Sequence, residues 1–275
     1  METKKVLTIQ DISCYGQCST TVALPILSHY GIETAILPSA ILSTHTSGFE
    51  NFTFLDLTDE MQKIIDHWFT NHIEFDCIYT GYIGNRKQFD IILNNKHKIL
   101  KDGGLFIVDP AMADNGKLYP GLDDFIVLGM RKMCMYADYI IPNVTEACFM
   151  TGVEYKEPKD QTTEYYNNLL QELYKLGAKN IILTGVVDGE DTIGAIGFDG
   201  ITRTTVLTEK MPKSYHGTGD IFSSVIVADI LNGKSIKETL HHATDFIIDS
   251  INQTMDDEKH EYGVKFEQIL KGESD

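Results

Sequence analysis

Residues 216 to 224 read HGTGDIFSS: two glycines flank a threonine, an acid follows, and the chain runs straight into the apolar stretch IFSSVIVADIL. The chemistry on offer there is anion binding. Glycines at the start of a helix let backbone N–H groups converge on one small space, and the helix N-terminus adds partial positive charge. Gly217, Thr218 and Gly219 are therefore a candidate anion hole. Asp220 carries two readings of equal weight from the stretch alone: a first-turn acid that caps the helix, or a carboxylate placed to accept a proton beside a bound anion. A second set of polar residues stands directly after short β-branched runs: Asp11 to Ser13, Gly81-Tyr82, Asp109-Pro110, Asn143 with Glu146, and Thr184-Gly185. Each alone is an ordinary loop former. Five at successive strand exits point to a site, because ligands of open α/β sheets bind outside the carboxyl ends of the strands.

The elements that must hold these residues are legible from the pattern. Strands are expected at 6 to 9, 34 to 37, 77 to 80, 105 to 108, 139 to 141 and 180 to 184, each uncharged and mainly apolar or β-branched and separated by helical stretches, which predicts a parallel sheet covered on both faces. Helices are expected over 19 to 30, ending at Gly31, and 162 to 176, ending at Gly177. The helix after HGTGD should stop at Asn232-Gly233 in a left-handed cap. Ser235 with Glu238 then forms a capping box for a helix over 236 to 252. Between 186 and 208 two alternating runs surround Asp199-Gly200, a hairpin signal. The fold class is α/β, a mostly parallel sheet with an antiparallel hairpin extension, in one domain spanning 1 to 275. The acidic tail from Asp256 onward is expected to be a solvated surface helix.

Rival motifs fail at named positions. Gly233-Lys234-Ser235 resembles the end of a phosphate-binding G-x-x-x-x-G-K-S loop, but Ala228 occupies the first glycine position and the triplet follows a helix. A dinucleotide fingerprint would need glycine where Phe222 stands. Neither G-x-S-x-G nor H-E-x-x-H occurs. His241-His242 reads as an exposed helix pair, since adjacent helical residues point in different directions.

Composition excludes further classes. The 275-residue chain carries 40 Asp plus Glu against 23 Lys plus Arg, a formal charge of −17 that repels nucleic acid and anionic membrane. Any phosphorylated ligand needs a local site of the opposite character. The apolar runs fall far short of the roughly 20 residues that span a bilayer. Five cysteines, an odd number without a C-x-x-C pair, follow an opening METKKVLTIQ that has no signal-peptide pattern. This reads as reduced, cytoplasmic thiols.

HGTGD before an apolar helix, with PNVTE at 142 to 146, resembles the paired G-T-G-D and N-x-x-E motifs of the ribokinase-like kinases. IQDISCYGQCS (9 to 19), LSTHT (42 to 46), TGYIG (80 to 84) and VDPAMADNGKLY (108 to 119) are similar to pyridoxal kinases within that superfamily. The resemblance implies ATP-dependent phosphorylation of the 5'-hydroxymethyl group of a B6 vitamer. It implies Asp220 as catalytic base and Gly217, Thr218 and Gly219 as anion hole. Ser13, Thr46 and Tyr82 would surround the pyridine ring, with Asp220 at the substrate hydroxyl. Asp109, Asn143, Thr184 and Thr218 would meet the nucleotide, and Asp109, Asn143 and Glu146 would organise Mg²⁺. Implied cofactors are ATP and Mg²⁺, with K⁺ as an additional candidate; the implied assembly is a homodimer. The chain departs from the pattern in two places. Ile141 replaces a threonine hydroxyl before Pro142-Asn143, and DPAMADNG alters the usual D-P-V-M-G-D, which opens the question of Asp114.

Hydroxymethylpyrimidine kinases share the G-T-G-D end but usually open with G-G-A-G-I-Q-A-D, where residues 13 to 20 here read SCYGQCST. Sugar kinases of the superfamily carry an inserted β lid that this N-terminal region lacks. A nonenzymatic vitamin-binding module would not need the acid at 220 or the N-x-x-E, and Phe222 opposes a dinucleotide oxidoreductase. The glycine-rich 185 to 200 region is the candidate cover for ATP.

Overall fold

Each of the six expected strand runs falls on a strand, and the stretches between them supply the helices. In chain order the computed structural model contains β1 (Lys5–Ser13), α1 (Thr20–His29), β2 (Glu33–Leu42), β3 (Phe54–Asp56), α2 (Thr58–Thr70), β4 (Phe75–Thr80), α3 (Arg86–Ile99) and β5 (Leu100–Val108). There follow the short pair β6 (Ala113–Asp114) and β7 (Lys117–Leu118), then α4 (Asp124–Met135), β8 (Tyr139–Ile140), α5 (Val144–Thr151), α6 (Thr163–Lys175) and β9 (Asn180–Val187). The chain ends with β10 (Thr192–Phe198), β11 (Arg203–Glu209), α7 (Thr218–Leu231), α8 (Ile236–Asn252) and α9 (Phe266–Gly272). The structure describes residues 3–46, 48–257, 260 and 262–273.

Nine strands form one sheet in the order β11-β10-β9-β8-β5-β4-β1-β2-β3. The six strands from β9 to β2 run parallel, while β3, β10 and β11 are antiparallel additions at the two edges. Alternation sends β1 residues to opposite faces. Leu7 and Ile9 join Met61, Phe89, Met130 and Leu169 in a core beneath α2 to α6, whereas Val6 joins Ile26, Ile221, Val225 and Phe246 in a second core beneath α1, α7 and α8. Because α7 is apolar on every side, it sits between the sheet and its neighbours with eight buried residues.

The helix punctuation is observed as read. Gly31, Gly177 and Gly233 all have positive φ, and Ser235 with Glu238 makes both bonds of a capping box. Three expectations are corrected. The tail is not one surface helix: within it only α9 is helical among the described residues, and Val264, Phe266 and Leu270 are buried against the α1/α7/α8 core because they are apolar. Residues 258, 259, 261, 274 and 275 of that tail lie outside the described residues. His241 is exposed, but His242 turns inward, with Nδ1 2.7 Å from the buried Asp229 Oδ2. The 185 to 200 region is mostly paired strand, so any cover it provides is confined to the turn between β9 and β10.

Candidate active site

The strand order reverses between β1 and β4, the kind of point where open sheets bind ligands. The β1–β2 register slips between Gln10 and Ile12, an irregularity that re-aims Asp11. Ser13 Oγ donates to Asp11 Oδ2 at 2.9 Å, and both residues are buried. Burial pushes the Asp11 carboxyl up, opposed by hydrogen bonds from Ser19 and Ser13 and by His45. Burial likewise raises the Tyr82 phenol, with the charges of Asp11 and Asp56 adding to the rise. Tyr82 is thus brought to Asp11 and Ser13 across the switch point. Thr46 is exposed in the segment after β2. Its neighbour His45 is the buried residue there, its ring 5.8 Å from that of His216, and it fills the space a side chain at Gly16 would need.

The start of α7 stands above this crevice. Gly217 has φ 80°, a conformation that favours glycine, and its carbonyl accepts the first helical bond from Ile221 N at 3.0 Å. The amides of Thr218, Gly219 and Asp220 precede that bond and have no intrahelical partner. The Thr218 hydroxyl is turned back to Tyr215 O at 3.1 Å, which leaves its amide as its contribution to the hole. Its N-cap residue is a glycine and offers no capping side chain. The half-buried Asp220 carboxylate instead lies near the N–H of Ser19, at the far end of the loop after β1, which favours its charged form. Of the two readings of this acid, capping of its own helix is the one the geometry removes. Burial pushes Asp220 up to about 6, and the Asp11 charge adds to the shift.

Asp109 and Glu146 form a buried acid pair at the ends of β5 and β8. Ser223 Oγ donates to Asp109 Oδ2 at 2.6 Å; Oδ1 takes no hydrogen bond among the described residues. Burial raises both carboxyls; next to burial, Asp109 raises Glu146, and the Asp220 charge adds to the rise at Asp109. Asn143 and Glu146 make a complete capping box on α5: Asn143 Oδ1 accepts Glu146 N at 2.9 Å, and Glu146 Oε2 accepts Asn143 N at 2.8 Å. Glu146 Oε1 also accepts Met112 N at 3.1 Å, and Asn143 Nδ2 donates to Ala113 O at 2.8 Å. Both side chains are therefore consumed in holding the loop after Asp109. Thr184 pairs with Asn143 and donates its amide to Pro142 O at 2.9 Å. Asp114 is exposed and accepts the amide and side-chain N–H of Asn115.

Among the described residues no three His, Cys, Asp or Glu side chains are gathered as a ready-made metal cage. That suits Mg²⁺, which is held by one or two carboxylates with phosphate oxygens and water completing its shell. Asp109, with one free oxygen, is the direct ligand candidate, and Asn143 and Glu146 fit an organising role. Ser223, His45 and the Ser19 amide went unread in the sequence. Ser223 had a signal, since it lies three residues beyond Asp220 on one helix face; a backbone amide such as that of Ser19 has none.

The sequence profile of the phosphomethylpyrimidine kinase family matches residues 24–265. Pyridoxal kinase of Dictyostelium discoideum is 27% identical over 273 residues, covering 93% of this chain and 88% of that protein. A Bacteroides thetaiotaomicron protein, provisionally assigned as a phosphomethylpyrimidine kinase and crystallised with pyridoxal, superposes with a TM-score of 0.93 at 35% identity, covering 100% of this chain and 96% of the other. Pyridoxal kinase of Lactobacillus plantarum superposes with a TM-score of 0.89 at 29% identity over 98% of this chain and 96% of its own. With the matched fold, the acid at the amide-lined helix start and the N-x-x-E box all in place, the chain belongs to the phosphomethylpyrimidine kinase family, alongside the pyridoxal kinases.

Proposed function

We propose that this protein transfers the γ-phosphoryl group of ATP to the 5'-hydroxymethyl group of pyridoxal, pyridoxamine or pyridoxine. The observation that carries the reading is the meeting, at the carboxyl ends of the central strands, of an amide-lined helix start, a half-buried Asp220 and the buried Asp109. The relative crystallised with pyridoxal supports the choice of acceptor. Phosphoryl transfer passes through a loose transition state, so positioning and neutralisation of charge outweigh strong base catalysis. The amides of Thr218 and Gly219 face the phosphoryl oxygens. The acceptor oxygen forms the new bond to phosphorus, its proton passes to Asp220, and the bond to the ADP oxygen breaks. Asp220, pushed up to about 6, is largely ionised at neutral pH and ready to take that proton. Mg²⁺ bound at Asp109 would neutralise charge on the phosphates. Asp11, Ser13 and Tyr82 orient the pyridine ring, with His45 beside them. The reading takes residues 1 to 275 as one kinase domain, working as a cytoplasmic homodimer.

A second reading, phosphorylation of a hydroxymethylpyrimidine, is favoured by the matched profile's description and uses the same site. ADP release measured in parallel with pyridoxal, pyridoxamine, pyridoxine and hydroxymethylpyrimidine, with and without Mg²⁺, separates the two. The account expects Mg²⁺-dependent turnover with at least one B6 vitamer, and kcat/KM falling as pH drops below about 6, where Asp220 gains its proton. Turnover with the pyrimidine alone selects the second reading, and turnover with none rejects both.

A further inference from the structure

The loop joining β1 to α1 reaches across to the start of α7. Its Ser19 has φ 50°, an unfavourable conformation for a residue with a Cβ, and its N–H favours the charged form of the nearby Asp220 carboxylate. Two residues earlier, the Gln17 carbonyl lies against Gly217 so closely that a Cβ there would run into it. The loop is therefore one wall of the anion hole, and its strained shape must be imposed from outside.

The C-terminal segment imposes it. Gln17 N donates to Tyr262 O at 3.1 Å, and Gln17 Nε2 donates to Glu267 Oε1 at 2.8 Å. Gln17 Oε1 lies 3.3 Å from His260 Nε2, and a Cβ at Gly263 would collide with the same side chain. The rings of Tyr15 and Tyr262 meet at 4.9 Å, tilted by 45°. The segment is anchored in turn: Phe266 and Leu270 are buried, and Tyr30 OH donates to Glu273 Oε2 at 2.7 Å.

We propose that Gln17, clasped by the Tyr262 carbonyl and the Glu267 carboxylate, is a positioning residue that holds the loop against Gly217 and the Ser19 amide beside Asp220, so that the C-terminal segment shapes the proton acceptor from outside the site. The role of Asp220 in this inference rests on the kinase reading above. Asp220 is also faced by Asp11 on β1, Cys18 in the loop, Tyr79 on β4, Asp109 after β5 and Tyr119 after β7. None of these is altered in the variants that follow.

Gln17→Ala and Glu267→Ala should lower kcat about 10-fold with KM for ATP unchanged, a loss smaller than an ångström-scale displacement of a reacting group can cause. The acidic limb of the kcat profile should move to higher pH, because Asp220 loses a donor that favours its charged form. Glu267→Gln keeps an acceptor for Gln17 and should restore both, and Lys271→Ala, exposed on the same helix, should match the parent. The Ser19 amide proton gives a readout independent of turnover: its NMR shift should follow the titration of Asp220 in the parent and Glu267→Gln proteins, and lose that dependence in Glu267→Ala. Parental kcat, pH limb and Ser19 titration in both alanine variants would overturn the inference, as would a Glu267→Gln variant as impaired as Glu267→Ala. A parent protein that shows the Ser19 titration but transfers no phosphoryl group would leave the clasp standing and reject the kinase reading instead.

Discussion

Asp220 and Asp229 lie on the same helix and meet opposite surroundings at its two ends. Asp229 is 1% exposed and met by groups of the protein: the Lys234 ammonium Nζ stands 2.8 Å from Oδ1, and His242 Nδ1 stands 2.7 Å from Oδ2. His242 Nε2 continues the network to Tyr30 OH at 3.1 Å and Glu273 Oε1 at 3.4 Å. Among the described residues no cation is paired with Asp220. The charges that face it are those of Asp11 and Asp109, and the Ser19 amide of the loop after β1 favours its charged form. An acid with its counter-ions built in holds the fold; an acid left among other acids is completed by what binds. In a chain of charge −17 the second arrangement persists only where a ligand brings its own cation and takes up the helix amides.

The comparison can be broken at either end of α7. Asp220→Asn should cost the most, about 10²- to 10³-fold in turnover by the scale for losing one preorganised group, with ATP binding and thermal stability intact; calorimetric binding beside steady-state rates checks it. Asp229→Ala should do the reverse, lowering unfolding free energy by roughly 3 kcal/mol as one member of a buried ion pair is lost, with the turnover of the folded protein unchanged. Urea titration together with the assay distinguishes that outcome from a catalytic role. Ser223→Ala removes the hydroxyl that donates to Asp109, which should raise the Asp109 carboxyl further and weaken Mg²⁺ activation about tenfold, the worth of one hydrogen bond to a charged group. A Mg²⁺ titration should recover part of the loss as pH is raised. The smallest effect belongs to His242. Its imidazole is raised above its ordinary value chiefly by the hydrogen bond to Asp229, so its contribution to stability is complete below about pH 6.5 and is lost as pH climbs through the raised value. Urea midpoints should fall over that interval for the parent protein and stay flatter for His242→Gln.

The legibility of this chain divides along a physical line. Mainly apolar runs announce strands buried on both faces, and Ser235-Glu238 and Gly233 announce a helix start and stop, because those signals are local. The order of the strands, which puts β1 beside β4 and so brings Asp11 to Tyr82, depends on which strands pair across long separations, and no single run encodes it. Asn143 and Glu146 were visible as a motif, yet the structure shows their polar groups engaged in a capping box and in holding the Asp109 loop. His242 looked exposed because adjacency was all the sequence offered; Asp229, thirteen residues earlier on a different helix, is what draws it inward. Thr46 and His45 illustrate the finest limit: a motif places a segment at the site, and one residue of register decides which side chain faces it.

The most direct test of the central claim follows the phosphorus itself. ATP labelled at the γ-phosphate is incubated with pyridoxal and Mg²⁺, using parent, Asp220→Asn and Asp229→Ala proteins at a temperature where all three are folded. The account predicts label in pyridoxal 5'-phosphate with the parent and Asp229→Ala proteins, and its near absence with Asp220→Asn. Label transferred equally by Asp220→Asn, or lost only in Asp229→Ala, would contradict it.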